Sequence, residues 1–142
     1  MKIFWDKIIT KISNKDPNLR EKAAESLSFV KTKKSVRILE ELLNDKDYNV
    51  RCAAINSISN LHSTDSLPKI INCLDDEDEL VRINAIECLG RLKDKAAIKA
   101  LIGKINDNNE LIRSYAGSAL GEIGARCAKL PIKLRLLKKK MN

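Results

Sequence analysis

Aromatic residues are scarce in this chain. Phe4, Trp5, Phe29, Tyr48 and Tyr115 are all it has in 142 residues, so a core has to be assembled from Leu, Ile, Val and Ala, which favours packed helices. Histidine is scarcer still. The single His62 offers no pair for a metal and no evident acid–base couple, and its place in the polar turn His62-Ser63-Thr64-Asp65 reads as a surface histidine. Cys52, Cys73, Cys88 and Cys127 stand far apart and form no C-x-x-C pair; free buried thiols in a reducing cytosol are expected. No run approaches the roughly 18 apolar residues of a membrane span. The N-terminal stretch MKIFWDKIITKI is interrupted by Asp6, Lys7 and Lys11, so it lacks the apolar region of a signal peptide. A cytoplasmic location with no membrane association is expected.

Charge is abundant but unevenly placed. The net charge is +8, yet residues 126–142 hold Arg126, Lys129, Lys133, Arg135, Lys138, Lys139 and Lys140 with no acid. The preceding 125 residues carry 20 bases and 19 acids. A basic balance of this kind describes a tail, and the body is nearly neutral. The acidic run Asp75-Asp76-Glu77-Asp78-Glu79 lacks the glycine and spaced ligands of a calcium loop and reads as a solvated turn. Gly103, Gly117, Gly121 and Gly124 compose no phosphate-binding fingerprint; the last three read as close helix packing or helix ending.

What the chain does have is a period. Arg20, Arg51, Arg82 and Arg113 recur every 31 residues. One position before each stands Leu19, Val50, Val81 or Ile112, and three after it Ala23, Ala54, Ala85 or Ala116. Leu27, Ile58, Leu89 and Leu120 follow at seven, and Val30, Leu61, Leu92 and Ile123 at ten. These positions share one face of a helix with 3.6 residues per turn, here called helix A. A second apolar face follows in each unit, on helix B: Leu67, Ile70, Ile71 and Leu74 in one, Ile98, Leu101, Ile102 and Ile105 in the next. The first unit keeps Val36, Leu39 and Leu43 but has Glu40 in the remaining slot, so looser packing is expected there. Pro68 is expected in the first turn of its helix, where its missing N–H costs nothing.

Extending the register backwards places Trp5, Ile8, Ile9 and Ile12 as a lone B helix that caps the stack. Extending it forwards, with one inserted residue near Gly124-Ala125-Arg126, puts Leu130, Leu134 and Leu137 on a degenerate last helix, as in many terminal repeats. The expected fold is all-α, an α-solenoid forming a single domain over 1–142. It divides into a cap at 1–15, repeats at 16–46, 47–77 and 78–108, and a degenerate repeat with the basic tail at 109–142.

The segments DPNLREKAAESL, DYNVRCAAINSI, DELVRINAIECLG and NELIRSYAGSALGEIG resemble the short HEAT-like repeats of the phycobilisome (bilin) lyase type, over about residues 3–137. Six residues before each Arg stands Asn14, Asp45, Asp76 or Asp107. In such repeats an acid and an Arg form a ladder of charge-assisted hydrogen bonds along the stack, and the resemblance implies the same for Arg20, Asp45, Arg51, Asp76, Arg82, Asp107 and Arg113. Translation of a repeated unit independently brings each acid near an Arg. Asp76 is expected to depend on Arg82, and Arg20, beside the cap and preceded by Asn14, is expected to matter less. HEAT-like deoxyhypusine hydroxylases carry several His-Glu pairs, and this chain has one His followed by Ser63. HEAT-like alkylpurine DNA glycosylases use an aromatic-containing basic groove, and aromatics are few here.

The chain is therefore expected to be non-enzymatic, without cofactor or metal, and to bind another protein on the surface lined by the B helices. That surface should present Lys7, Arg37, Glu41, Lys69, Asn72 and Lys99. Two other readings remain open: binding of nucleic acid or an acidic surface through the tail, and service as an auxiliary subunit of a lyase-type enzyme complex.

Overall fold

The computed structural model describes residues 1–126, and of Ala125 and Arg126 only the backbone. The described residues form α-helices and short 3-10 turns, with no strand. The helices are α1 (Lys2–Ile12), α2 (Pro17–Leu27), α3 (Lys33–Leu42), α4 (Tyr48–Asn60), α5 (Leu67–Asn72), α6 (Glu79–Leu92), α7 (Ile98–Ile102) and α8 (Glu110–Arg126).

The A helices α2, α4, α6 and α8 begin by one repeated device. Asp16, Asp47 and Asp78 cap them by accepting the backbone N–H two residues on, at 2.9, 2.9 and 2.8 Å, and Asn109 does the same for α8 at 2.8 Å. Each cap satisfies an N–H that the first turn leaves unpaired. Pro17 fills the first position of α2, where it has no N–H to lose. The caps are positioned in turn by the residue two earlier: Asn14, Asp45, Asp76 and Asp107 each accept the cap residue's own N–H at 2.9 Å.

Stacking follows from the small residues on the A faces. α2 packs on α4, α4 on α6 and α6 on α8, with Ala23, Ala54, Ala85 and Ala116 wholly buried along the seam. Ser57 donates to the carbonyl of Ala24 at 2.9 Å across the first of these contacts. α6 and α8 approach closely at Gly90, where an added Cβ would lie 3.1 Å from both Cα and Cβ of Ala119. Gly121, one of three glycines expected at close packing or a helix end, has nothing within 4 Å of such a Cβ among the described residues.

The B helices α3, α5 and α7 form the second layer, each packed against the A helix that follows it. Leu39, Ile70 and Leu101 are its fully buried anchors. These helices are short because turns consume their ends: 3-10 segments Thr64–Ser66 and Cys73–Asp75 flank α5, and Lys95–Ala97 leads into α7. Pro68 lies in the first turn of α5. The slot of Glu40 is not loosely filled. Its carboxylate accepts from Ser66 Oγ and from Lys69 Nζ, both at 2.8 Å, and so ties α3 to the next B element.

α1 packs on α2 as α3 packs on α4, with Ile8 buried, Trp5 and Ile12 partly so and Ile9 exposed. The Lys34 ammonium lies 4.4 Å from the Trp5 ring centroid, a cation–π contact between cap and first repeat. The degenerate helix expected to carry Leu130, Leu134 and Leu137, and the basic tail, lie outside the described residues.

Candidate interaction surface

The periodic arginines close the turns that precede their own helices. Nη1 of Arg20 donates to the carbonyls of Asn14 and Lys15 at 2.8 and 3.0 Å. Arg82 reaches Asp76 and Glu77, and Arg113 reaches Asp107 and Asn108, in the same way; Arg51 reaches the carbonyl of Asp45 at 2.7 Å.

Bonds between repeats differ along the stack. Arg20 grips Asp45 with two nitrogens, Nε at 2.8 Å and Nη2 at 2.9 Å. Arg51 reaches only one oxygen of Asp76, at 3.0 Å, and its buried Nε has no partner among the described residues. Arg82 and Arg113 have hydrogen bonds to carbonyls alone among the described residues. The carboxylate of Asp76 is thus held by Arg51 of the preceding repeat and not, as expected, by Arg82. Arg20, expected to matter less, is the best paired of the four.

Burial of that pair sets its electrostatics. Desolvation pushes the Asp45 carboxyl upward, but the Arg20 bond, the Asp47 backbone N–H and the nearby charges outweigh it and hold the group below its ordinary range. The Asp45 bond raises Arg20 in turn, against its own desolvation. Glu40 behaves like Asp45: burial pushes it up, and bonds from Lys69 and Ser66 carry it below the usual carboxylate value.

Lys7, Arg37, Glu41, Lys69, Asn72 and Lys99 are all exposed. Arg37 lines a shallow groove of about 340 Å³ with Val36, Glu40, Leu61 and Asp65, and its charge helps hold Glu40 ionised. Lys69, through its Glu40 bond, belongs to the same cluster. Lys99 lines a second groove of about 510 Å³ between α5 and α7, beside Ile71, Leu74 and Asp75. Here Lys104 donates to Asp75 at 2.7 Å, so two lysines tie adjacent B elements to acids 29 residues earlier. These two acid–lysine ties escaped the sequence reading because no single repeat contains both partners; the 29-residue spacing was the available signal.

The acidic run is occupied by these duties: Asp75 pairs with Lys104, Asp76 with Arg51, and Asp78 caps α6. Cys52, Cys73 and Cys88 are free thiols, pushed by burial to about 11, about 11 and about 12. Among the described residues no group of three or more His, Cys, Asp or Glu is placed to hold a metal ion, and no helix is long and apolar enough to cross a membrane.

A family model described as HEAT repeats matches residues 6–78 and 67–139. The chain belongs to the HEAT-repeat family. Among solved structures, the complex of CpcE and CpcF of phycocyanin lyase from a Nostoc species contains a chain 30% identical to this one, with a TM-score of 0.73 over 85% of this chain and 53% of that one. This HEAT-repeat chain thus spans about half the length of that lyase chain. Two engineered proteins are similar at 18% and 17% identity, with TM-scores of 0.61 and 0.60. They match 82% and 83% of this chain and 61% and 37% of theirs, and at such identity they speak to the fold alone. No curated protein matches the sequence.

Proposed function

We propose that this HEAT-repeat chain is a non-catalytic scaffold that receives a protein partner on the layer formed by α3, α5 and α7, extended by Lys7 of α1. One observation carries the reading. Leu39, Ile70 and Leu101 turn wholly inward, while Arg37, Glu41, Lys69, Asn72 and Lys99 on the same short elements stay exposed. The layer can therefore vary its outer side chains without disturbing the core, and its mixed charge suits a polar protein surface better than a phosphate backbone.

The test is affinity capture with the full chain and with Arg37→Ala/Lys99→Ala, neither residue being a member of an ion pair among the described residues. Lys69 is left in place because its loss would strip a partner from Glu40. Capture should weaken about fivefold or more, as loss of two interfacial charges does, with helical circular dichroism unchanged. Undiminished capture places the site elsewhere.

The likeness to the phycocyanin lyase chain supports a second reading, in which the partner is the remainder of a lyase-type enzyme complex and this chain an auxiliary subunit. A bilin pigment recovered with the captured protein supports it, and a pigment-free partner favours a plain scaffold.

A further inference from the structure

The near neutrality of residues 1–125 conceals a division of charge between the two layers. The B elements with the turns leading into them, residues 1–13, 28–43, 60–74 and 92–105, hold 12 bases and 5 acids. The A elements with theirs, residues 14–27, 44–59, 75–91 and 106–124, hold 8 bases and 14 acids. The six outward positions of the scaffold layer are mixed in sign, but the elements that carry them stand at +7 and the layer behind them at −6.

Side-chain placement sharpens the division. On the B side, Lys7, Lys33, Arg37, Lys95 and Lys99 are exposed and belong to no ion pair among the described residues. Two of the five acids there are already engaged. Glu40 accepts from Ser66 and Lys69, and Asp94 caps the turn before α7 by accepting the Ala96 N–H at 2.8 Å. On the A side the periodic arginines are turned onto turn carbonyls and acids, with Arg20 and Arg51 buried, so little of their charge faces outward. Solubility requires net charge but not its segregation, and like charges gathered on one face repel each other until a partner of opposite sign covers them.

The basic face is also apolar in one place. Ile71, Leu74, Ala96 and Ala100 line the groove of about 510 Å³ that Lys99 and Lys104 border. Only the Ala100 carbonyl lies within 4 Å of a Cβ added at Gly103. Small side chains thus leave room for an apolar group beside a cation. A phosphate backbone has no use for such a wall, and α3, α5 and α7 carry no aromatic side chain on which a base could stack.

We propose that the partner received on the B layer is acidic: a protein segment with carboxylates facing Lys95 and Lys99 and apolar side chains seated in the groove between α5 and α7. This rests on the scaffold reading, to which it adds the sign of the partner's charge and a place for its apolar groups. The remaining excess of cations on the layer steers the segment towards that groove.

The test is fluorescence anisotropy at moderate salt with a labelled peptide of Glu-Glu-Leu repeats. The full chain carries Lys138→Gln/Lys139→Gln/Lys140→Gln throughout, so that the basic tail does not dominate binding. Lys95→Glu/Lys99→Glu should weaken the peptide about tenfold, for two reversed contacts. Lys22→Glu/Lys46→Glu makes the same change of net charge on the A elements and should weaken it less than about twofold, as remote exposed charges do. A peptide of Glu-Glu-Ser repeats should bind about fivefold or more weakly than the leucine peptide. Absence of binding, equal loss in the two variants or equal affinity for the serine peptide overturns the proposal. Tighter, competing binding of a single-stranded oligonucleotide overturns it in favour of nucleic acid, and self-association of the chain abolished by Lys95→Glu/Lys99→Glu overturns it in favour of a second copy. Undiminished capture by Arg37→Ala/Lys99→Ala removes the layer as the site and this proposal with it. Capture that falls in that variant, of a protein that the Glu-Glu-Leu peptide does not displace, keeps the layer and overturns the acidic partner alone.

Discussion

Arg20 and Asp45 meet across 25 residues of chain and one repeat boundary through two bonds of 2.8 and 2.9 Å, one to each carboxylate oxygen, with both side chains less than a tenth exposed. Removing one member leaves the other buried and uncompensated. Arg20→Ala should therefore cost about 2–3 kcal/mol. Arg82→Ala, which loses only bonds to two carbonyls, should cost about 1 kcal/mol. Thermal melts of the two variants decide the order, and a larger shift for Arg82→Ala contradicts the pairing described.

The same pair makes stability depend on acidity. Asp45 and Glu40 are held below their ordinary values of 3.8 and 4.5 in the folded chain, so each contributes stability that is complete above its unfolded value and is lost as the pH falls through the folded one. Urea melts across pH should give a plateau near neutrality and a decline beginning as the pH drops towards those ordinary values. The decline should be shallower in Glu40→Gln and in Arg20→Ala. An identical acid profile in all three chains rules the two carboxylates out as its source.

The three thiols set the opposite limit. Their folded values lie above the unfolded one near 9.0, so their contribution is complete below it and declines as the pH rises towards the folded values. At neutral pH they are protonated, and Cys73 and Cys88 are also buried. In a Cys52→Ser/Cys127→Ser chain, a disulfide reagent should react slowly with native protein and rapidly once urea unfolds it. Fast native labelling would contradict the burial of Cys73 and Cys88.

Two glycines separate propensity from packing. Gly121→Ala meets nothing within 4 Å among the described residues and should raise stability by about 0.5–1 kcal/mol through helix propensity. Gly90→Ala carries the same intrinsic gain but drives its Cβ to 3.1 Å from the Ala119 backbone, so α6 and α8 must separate. Its melting midpoint should fall below that of Gly121→Ala, and a gain equal to that of Gly121→Ala would mean the seam is loose.

The difference between these glycines shows what a sequence of this kind reveals. A strict 31-residue period exposes every helix face, because burial repeats with the chain; Ala23, Ala54, Ala85 and Ala116 could be read at sight. Contacts between units are harder to read, since they depend on how far one repeat rises and turns over the next. Arg51 and Asp76 face each other only in that geometry, whereas Asp76 and Arg82 look paired in the linear chain. Glu40 looked like a defect because its partners, Ser66 and Lys69, lie in the following unit. His62 and Lys93 hold left-handed backbone, with φ of 51° and 53°, and this was hidden for another reason: neither position carries the glycine that usually marks it. The six exposed positions of the B layer follow from register alone, but register says nothing of what they bind.

Hydrogen exchange on the full chain, free and bound to its captured protein, tests the scaffold reading most directly. Added protection should concentrate in α3, α5 and α7 and in the first turns of α1 near Lys7, while α4 and α6, already buried in the stack, change little. Protection confined to the ends of α4 and α6 around His62 and Lys93, with the B layer unaffected, would contradict that reading.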